Sequence, residues 1–190
     1  RRCVAVGAAV AALSGTPAAA QGPIDAVRQL YNQGRFEAAV KAAAEARTDP
    51  AVADVASLIL GRSCLERFRQ SEDRADLVAG REALRDVRPS RLSRRDQADY
   101  LVCLGEALYL EESYGAAAQV FASALERADE LGTRAADRVF DWWATSLDRQ
   151  AQAADVDERE RLYIEVLVRA ETISARHPES PAAAYWVVVA

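Results

Sequence analysis

Histidine and metal-binding motifs are scarce in this sequence. Its 190 residues contain a single histidine, His177, and three cysteines that form no CxxC pair. No HExxH motif is present, so a zinc site would have to be built from scattered carboxylates. The sequence also lacks a P-loop, a GxGxxG turn and a GxSxG turn, the motifs of phosphate binding, dinucleotide binding and serine hydrolysis. We therefore expect no catalytic residue, no metal and no cofactor.

Positive charge and aromatic side chains are also limited. Acidic residues outnumber basic ones by 29 to 24, which gives a net charge of −5, and 7% of the residues are aromatic. A negative chain is not typical of a general nucleic-acid binder or of a polybasic protein of membrane surfaces. Lys41 is the one lysine beside 23 arginines, and a chain rich in Ala, Arg, Leu and Glu favours helices over an all-β fold. The expected fold class is all-α.

The first twenty residues have the composition of a secretory signal peptide. Two arginines precede an apolar run from Val4 to Leu13, and Ala18 and Ala20 fit the small-x-small pattern of a cleavage site. The run is shorter than the roughly 20 apolar residues of a membrane span. We expect residues 1–20 to be removed on export, giving a periplasmic or secreted chain that begins at Gln21. The alternative is an Ala-rich helix that belongs to the fold.

Export would remove Cys3 and leave Cys64 and Cys103. An oxidising compartment allows these two cysteines to form a disulfide. Both fall on apolar helix faces, so the alternative is that each is a small buried side chain. The sequence pattern leaves both interpretations open.

Apolar residues recur at helical spacing through the rest of the chain, interrupted by turn residues and prolines. The breaks predict four helix pairs and the start of a fifth. The predicted helices are 24–32 and 36–46, 52–68 and 74–87, 96–110 and 114–131, 134–153 and 158–176, and 182–190. Since the last segment has no partner helix, we expect the chain to be part of a longer array.

The third pair contains a regular series of small and large apolar residues. They are Leu101, Leu104, Gly105, Leu108, Tyr114, Ala117, Phe121 and Ala124. The series resembles a tetratricopeptide (TPR) repeat, with Leu in place of the first Trp and the first Tyr. Gly105 and Ala117 are small, which predicts that the two helices cross there with their backbones close together. Phe121 is then expected to fill the space between neighbouring pairs.

The other pairs fit the TPR pattern less closely. Val27 and Gly61 take the place of the small residue in the first two pairs and are 34 positions apart, the TPR period. Gly61 and Gly105 are 44 positions apart, so the second pair holds an insertion, which we assign mainly to residues 88–95. The resemblance implies a right-handed solenoid of antiparallel helix pairs over residues 21–190. The alternative is an antiparallel bundle of unrelated helices.

In the TPR family, the first helix of each pair lines a concave groove in which peptide ligands lie. Carrying the groove positions over selects Arg28, Tyr31, Asn32, Arg62, Glu66, Asp99, Glu106 and Tyr109, and in the fourth pair Asp141 and Asp148. This register makes the groove basic in its first half and acidic in its second, which would orient a ligand of complementary charge. Arg28 and Arg62 are expected to face solvent. The alternative is that these residues are only the polar faces of amphipathic helices.

Two further groups of residues have both a structural and a functional interpretation. Of the adjacent Trp142 and Trp143, at least one must face the core, which favours packing over a ligand-stacking platform. Arg91, Arg94 and Arg95 form a basic cluster. We interpret it as a solvated loop, with contact to an acidic partner as the alternative.

These observations predict a non-catalytic scaffold of the cell envelope or periplasm that binds a protein or peptide partner. We expect no nucleic-acid partner and no integral membrane span in the mature chain, and the oligomeric state is left open. One alternative is the helical accessory region of a cell-wall hydrolase resembling lytic transglycosylases, with its catalytic domain beyond residue 190. Another is an architectural spacer in an envelope complex.

Overall fold

The computed structural model describes residues 22–190, and these residues form α-helices joined by short connections. The helices are α1 (Pro23–Asn32), α2 (Phe36–Ala46), α3 (Ala53–Ser71), α4 (Arg74–Arg85), α5 (Arg94–Leu110), α6 (Tyr114–Leu125), α7 (Ala128–Leu131), α8 (Thr133–Ala153), α9 (Val156–Arg176) and α10 (Pro181–Val189). A one-turn 3-10 helix, Pro89–Arg91, lies between α4 and α5. No strand occurs in the described range, so the expected all-α class is confirmed there. The expected signal peptide, residues 1–20, lies outside the described residues.

Polar side chains mark the beginnings of four helices. Each accepts a hydrogen bond from a backbone N–H in the first turn, which satisfies a donor that the helix itself cannot pair. These capping residues are Asp73, Ser93, Asp155 and Ser180. The first three hairpins also turn alike, because each has one residue with a positive φ at the turn. These residues are Gly34, Glu72 and Glu112.

The predicted helix 114–131 is divided in the structure. It breaks at Glu126 and Arg127, and the short helix α7 follows. α7 contacts both α5 and α8, and its Leu131 is buried among them. The break therefore brings Leu131 onto the first helices of two neighbouring pairs, and the apolar spacing of the sequence did not indicate this change of direction.

The helices are arranged as hairpins in chain order. α1 packs on α2, α3 on α4, α5 on α6 and α8 on α9, and α10 packs on both α8 and α9. The second helix of each hairpin also contacts the first helix of the next hairpin. The first helices, α1, α3, α5 and α8, contact one another in sequence and form a row. Within residues 22–190, every helix is too short or too polar to cross a lipid bilayer.

The hydrophobic core follows the same order, as three clusters between successive hairpins. One cluster joins α1 and α2 to the next hairpin and includes Val27 and Ala43. A second lies among α3, α4 and α5 around Leu65 and Leu84. The largest extends from α5 to α10 and contains Trp143. A core divided in this way stabilises each hairpin mainly through its neighbours.

Small residues let the helices of two hairpins approach closely. A Cβ atom at Gly105 of α5 would lie 2.6 Å from the ring of Phe121 in α6, a distance that real side chains do not tolerate. A Cβ atom at Gly61 of α3 would lie 2.8 Å from Leu84 of α4 and 3.2 Å from the carbonyl oxygen of Gly80. Gly61 and Leu84 thus form the same contact in the second hairpin as Gly105 and Phe121 form in the third.

This correspondence relocates the extra residues of the second pair. Gly61 and Leu84 are 23 positions apart, whereas Gly105 and Phe121 are 16 apart. Seven extra residues therefore lie between the two contact points, where they lengthen α3 and the start of α4. The spacing of Gly61 and Gly105 exceeds the 34-residue period by ten residues, so only three of these remain for the connection to α5. The assignment of the insertion mainly to residues 88–95 was therefore wrong.

Candidate functional site

Two adjoining cavities lie along the row of first helices. One, of about 250 Å³, is lined by Arg28, Tyr31, Asn32, Ile59, Arg62, Arg95 and Asp99. The other, of about 280 Å³, shares Tyr31, Arg62 and Asp99 with it and extends to α7 and α8. We call the α1 side the first cavity and the α8 side the second cavity. Together they cross all four first helices.

Ion pairs between α3 and α5 lie in the walls of the two cavities. Arg62 donates a hydrogen bond of 3.2 Å to Asp99, and the Nη2 atom of Arg69 lies 3.1 Å from Oε1 of Glu106. The two arginines are seven residues apart on α3, and the two acids are seven apart on α5. Seven residues make about two helical turns, so each helix presents its pair on one face.

Arg69 of the second cavity is held between two glutamates. Its Nη1 atom donates a hydrogen bond of 2.9 Å to Glu66. Its Nη2 atom is buried and has no correctly aligned acceptor among the described residues, although it is in ion-pair range of Glu106. A buried N–H without an acceptor is uncommon and costs free energy. This atom has almost no exposed surface, so a ligand in the second cavity would not reach it directly.

Aromatic rings lie at both ends of this network. The guanidinium carbon of Arg62 is 4.5 Å from the ring centroid of Tyr31 in α1, and that of Arg69 is 5.4 Å from the ring centroid of Trp142 in α8. Both distances are within the range of cation–π attraction. The rings hold the two guanidinium groups in place and give the cavities apolar walls next to charged ones.

The charge state of the network follows from burial and pairing. Burial raises the pKa of Glu106, and the nearby Arg69 charge opposes this rise without cancelling it. Burial acts to lower the pKa of Arg69, but Glu106 and Glu66 raise it above its ordinary value. Burial also raises the pKa of Tyr31 to about 12. The arginine thus stays charged, while Glu106 binds a proton more readily than an exposed glutamate does.

The structure brings together most of the residues selected from the sequence. The ones that line the two cavities are Arg28, Tyr31, Asn32, Arg62, Glu66, Asp99 and Glu106. Tyr109 does not line either cavity; its ring packs 4.8 Å from that of Trp142, at the edge of the large core cluster. Asp148 is also elsewhere, where it accepts a hydrogen bond of 2.7 Å from Tyr163 of α9. Asp141 accepts a hydrogen bond of 2.9 Å from Trp186 of α10.

The expected division into a basic and an acidic half is wrong at the level of side chains. Arg28 donates a hydrogen bond of 2.8 Å to Asp96, and Arg62 pairs with Asp99, so bases of early helices neutralise acids of α5. The expectation that Arg62 faces solvent is also wrong, because only a quarter of its side chain is exposed. These bases and acids are far apart in the sequence, but stacking of the first helices places them side by side in the structure.

Several cavity residues were missed or interpreted otherwise in the sequence. Arg69 was missed, although its seven-residue offset from Arg62 is a signal that could have found it. Trp142 lines the second cavity while Trp143 is buried, so the two tryptophans divide between the site and the core. Arg95 lines the first cavity. Arg138 of α8, which also lines the second cavity, had no distinguishing signal because it lies in the least regular pair.

The two cysteines of the described residues are free and buried. Cys64 belongs to the core cluster of the first hairpins, and Cys103 belongs to the next cluster and forms part of the wall of the second cavity. Burial raises the pKa of Cys64 to about 11 and raises that of Cys103 further. Both thiols are therefore protonated at neutral pH and act as small apolar side chains in this structure.

Other concave regions have a different character. A cavity of about 630 Å³ at the ends of α2 and α3 contains Arg67, which pairs with both Glu37 and Asp76. Another, of about 480 Å³ beside α8 and the end of α9, contains His177 and Ser180, whose hydroxyl caps α10 and donates to Asp137. Within residues 22–190, no group of three or more His, Cys, Asp or Glu side chains is arranged to hold a metal ion.

A scan against protein-family models found no match, and a search of curated proteins found none either.

Proposed function

We propose that this chain is a TPR-like solenoid that serves as a non-catalytic scaffold and binds a protein or peptide segment along its first helices. The observation that carries the proposal is the convergence of seven residues, selected by the TPR register alone, on two adjoining cavities. A segment bound in such a groove would contact the first helices of all four hairpins. Contacts of this kind suit an extended chain better than a compact small molecule.

The packing of the hairpins supports the TPR part of the proposal. Gly105 and Phe121, two residues of the TPR series in the third pair, are in close contact, and Gly61 and Leu84 make the same contact in the second. Val27 and Ala43, both buried, are 16 positions apart in the first pair, as Gly105 and Phe121 are in the third. Hairpins that contact only neighbours along the chain are the basis of a solenoid.

The cellular part of the proposal rests on the sequence. Residues 1–20 have the features of a signal peptide, so we propose that residues 21–190 act in the periplasm or outside the cell as one helical repeat domain. The role is a binding one, because the site on the first helices consists of ion pairs and aromatic rings. It offers neither a paired nucleophile and base nor a set of metal ligands within the described residues.

Selection of random displayed peptides on the purified chain tests this function. Ala135 lines the second cavity, so Ala135→Trp is expected to fill it, whereas Val168→Trp alters an exposed position of α9 that lines neither cavity. Selected peptides should bind wild type and Val168→Trp alike and bind Ala135→Trp at least about tenfold more weakly. Circular dichroism checks that both variants keep their helices.

Two results would contradict the proposed function. One is the recovery of no binding peptide under conditions in which the chain is folded. The other is a set of peptides that bind Ala135→Trp as tightly as wild type, which would locate binding on a different surface.

A further inference from the structure

We propose that the segment bound along the first helices is acidic and that its side-chain carboxylates contact the outer arginines Arg95 and Arg138. This inference rests on the proposed function and names the chemistry of the partner. The observation behind it is the exposed fraction of each charged side chain, which the sequence did not indicate.

The acids of this surface lie deeper than its outer arginines. The side chains of Asp96, Asp99 and Glu106 are 7%, 14% and 17% exposed, and that of Glu66 is 30% exposed. In contrast, the side chain of Arg95 is 57% exposed, and Arg138 is exposed as well. A ligand that approaches the cavities therefore meets positive charge first, although the residues at the bottom include several acids.

The outer arginines also have capacity to bind an anion. Arg138 forms no ion pair with the described residues, and Arg95 has one long contact, 3.7 Å, with Asp99, which already accepts a hydrogen bond from Arg62. A carboxylate can accept two N–H donors from one guanidinium, and such charge-assisted hydrogen bonds are among the strongest in proteins.

The charge of the whole chain makes this local excess meaningful. The net charge of the sequence is −5, so a surface that presents arginines outward has the opposite sign to the chain as a whole. Complementary charge on a rim mainly increases the association rate and selects among partners. An acidic segment would be attracted to this surface and repelled by the rest of the chain, which directs it to the cavities.

An acidic peptide fits these observations better than a nucleic acid does. Nucleic-acid binding relies on a series of contacts to regularly spaced phosphates, and a protein of negative net charge repels those phosphates. Two separated outer arginines beside the half-buried Trp142 suit individual carboxylates on a chain that also carries apolar groups. A single-stranded oligonucleotide is therefore included in the test as the competing occupant.

The test compares the binding of four fluorescent probes to the intact chain by anisotropy. Three are peptides of one length and one apolar sequence that differ only in carrying Glu, Gln or Lys at alternate positions, and the fourth is a single-stranded oligonucleotide. The Glu peptide should bind at least about tenfold more tightly than the Gln or Lys peptide, and its affinity should fall as salt is added. Stronger binding of the Lys peptide or of the oligonucleotide would overturn the inference.

Charge reversals localise the effect. Arg138→Glu and Arg95→Glu should each weaken binding of the Glu peptide by about tenfold. The matched control is Arg161→Glu, which reverses an exposed arginine of α9 that lines neither cavity. Equal binding by Arg138→Glu and by the control would also overturn the inference. If a reversal unfolds the chain, the order of the wild-type affinities still decides the outcome.

Failure of this inference and failure of the proposed function are distinguishable. If the Gln or Lys peptide binds best and Ala135→Trp abolishes that binding, the cavities bind a peptide and only the acidic character is wrong. If none of the three peptides binds and library selection also recovers nothing, both proposals fail.

Discussion

At single residues, a few glycines allow neighbouring helices to approach closely. Gly105 is the sharpest case, because the space for its Cβ atom is occupied by the ring of Phe121, which is fully buried. The ring cannot withdraw easily from a core at native packing density. Adding a side chain at position 105 is therefore expected to destabilise the fold, because it displaces the neighbouring residues.

Gly105→Ala tests this conclusion, because two effects of opposite sign compete. Alanine is favoured over glycine inside a helix by about 1 kcal/mol, whereas overpacking of a core costs about 1–3 kcal/mol. We expect overpacking to dominate, so that urea denaturation gives a lower free energy of unfolding. Gly115→Ala is the control, since a Cβ atom there would meet only the flexible end of Gln150, at 3.2 Å. Equal or greater stability of Gly105→Ala would show that α5 and α6 are less closely packed.

At the scale of elements, one buried carboxylate connects the beginning of α3 to the segment that follows α4. Asp54 accepts hydrogen bonds from the backbone N–H of Arg88 at 2.8 Å and from its guanidinium group at 3.1 Å. Asp54 is buried, and the hydrogen bonds from Arg88 lower its pKa. This contact closes the hairpin of α3 and α4 at the end away from its turn.

The lowered pKa gives the contact a defined dependence on pH. An acid whose pKa is lower in the folded state stabilises the fold above its unfolded pKa, about 4, and loses this effect as pH falls through the folded value. Asp54→Asn should therefore reduce the free energy of unfolding by about 1–3 kcal/mol near pH 7. The difference from wild type should shrink as pH is lowered below about 4.

Chemical denaturation at several pH values checks this prediction. Glu45→Gln is the control, because it removes an exposed carboxylate of α2 that forms no ion pair with the described residues, and it should stay within about 0.5 kcal/mol of wild type. A constant difference between Asp54→Asn and wild type from neutral to acidic pH would show that the charge of Asp54 is not what stabilises the contact.

Element boundaries were largely predictable, since they depend on local residues. α2 occupies Phe36–Ala46 as predicted, and the turn residues and prolines separated the hairpins correctly. The break between α6 and α7 was not predictable, because it depends on contacts of Leu131 with α5 and α8. Local patterns determine where a helix can form, whereas tertiary contacts determine where it bends or divides.

At the scale of the whole molecule, the site depends on stacking. Tyr31, Arg62, Asp99 and Trp142 lie on four different helices and meet only because the first helices form a row. The repeat register could select most of the cavity residues, since register assigns a face to each helix. It could not predict which charges pair across helices, nor which arginine remains exposed, because these depend on side-chain depth.

Site-specific photocrosslinking locates a bound protein segment on the molecule and so tests the proposed binding along the first helices. A photoreactive amino acid is placed at Val102, in the wall of the second cavity, or at Ile164, an exposed position of α9 that lines neither cavity. A peptide selected on the wild-type chain is added, and crosslinked products are measured by mass spectrometry. We expect efficient crosslinking from position 102 and none above background from position 164. Crosslinking from position 164 with none from position 102 would contradict the proposed binding.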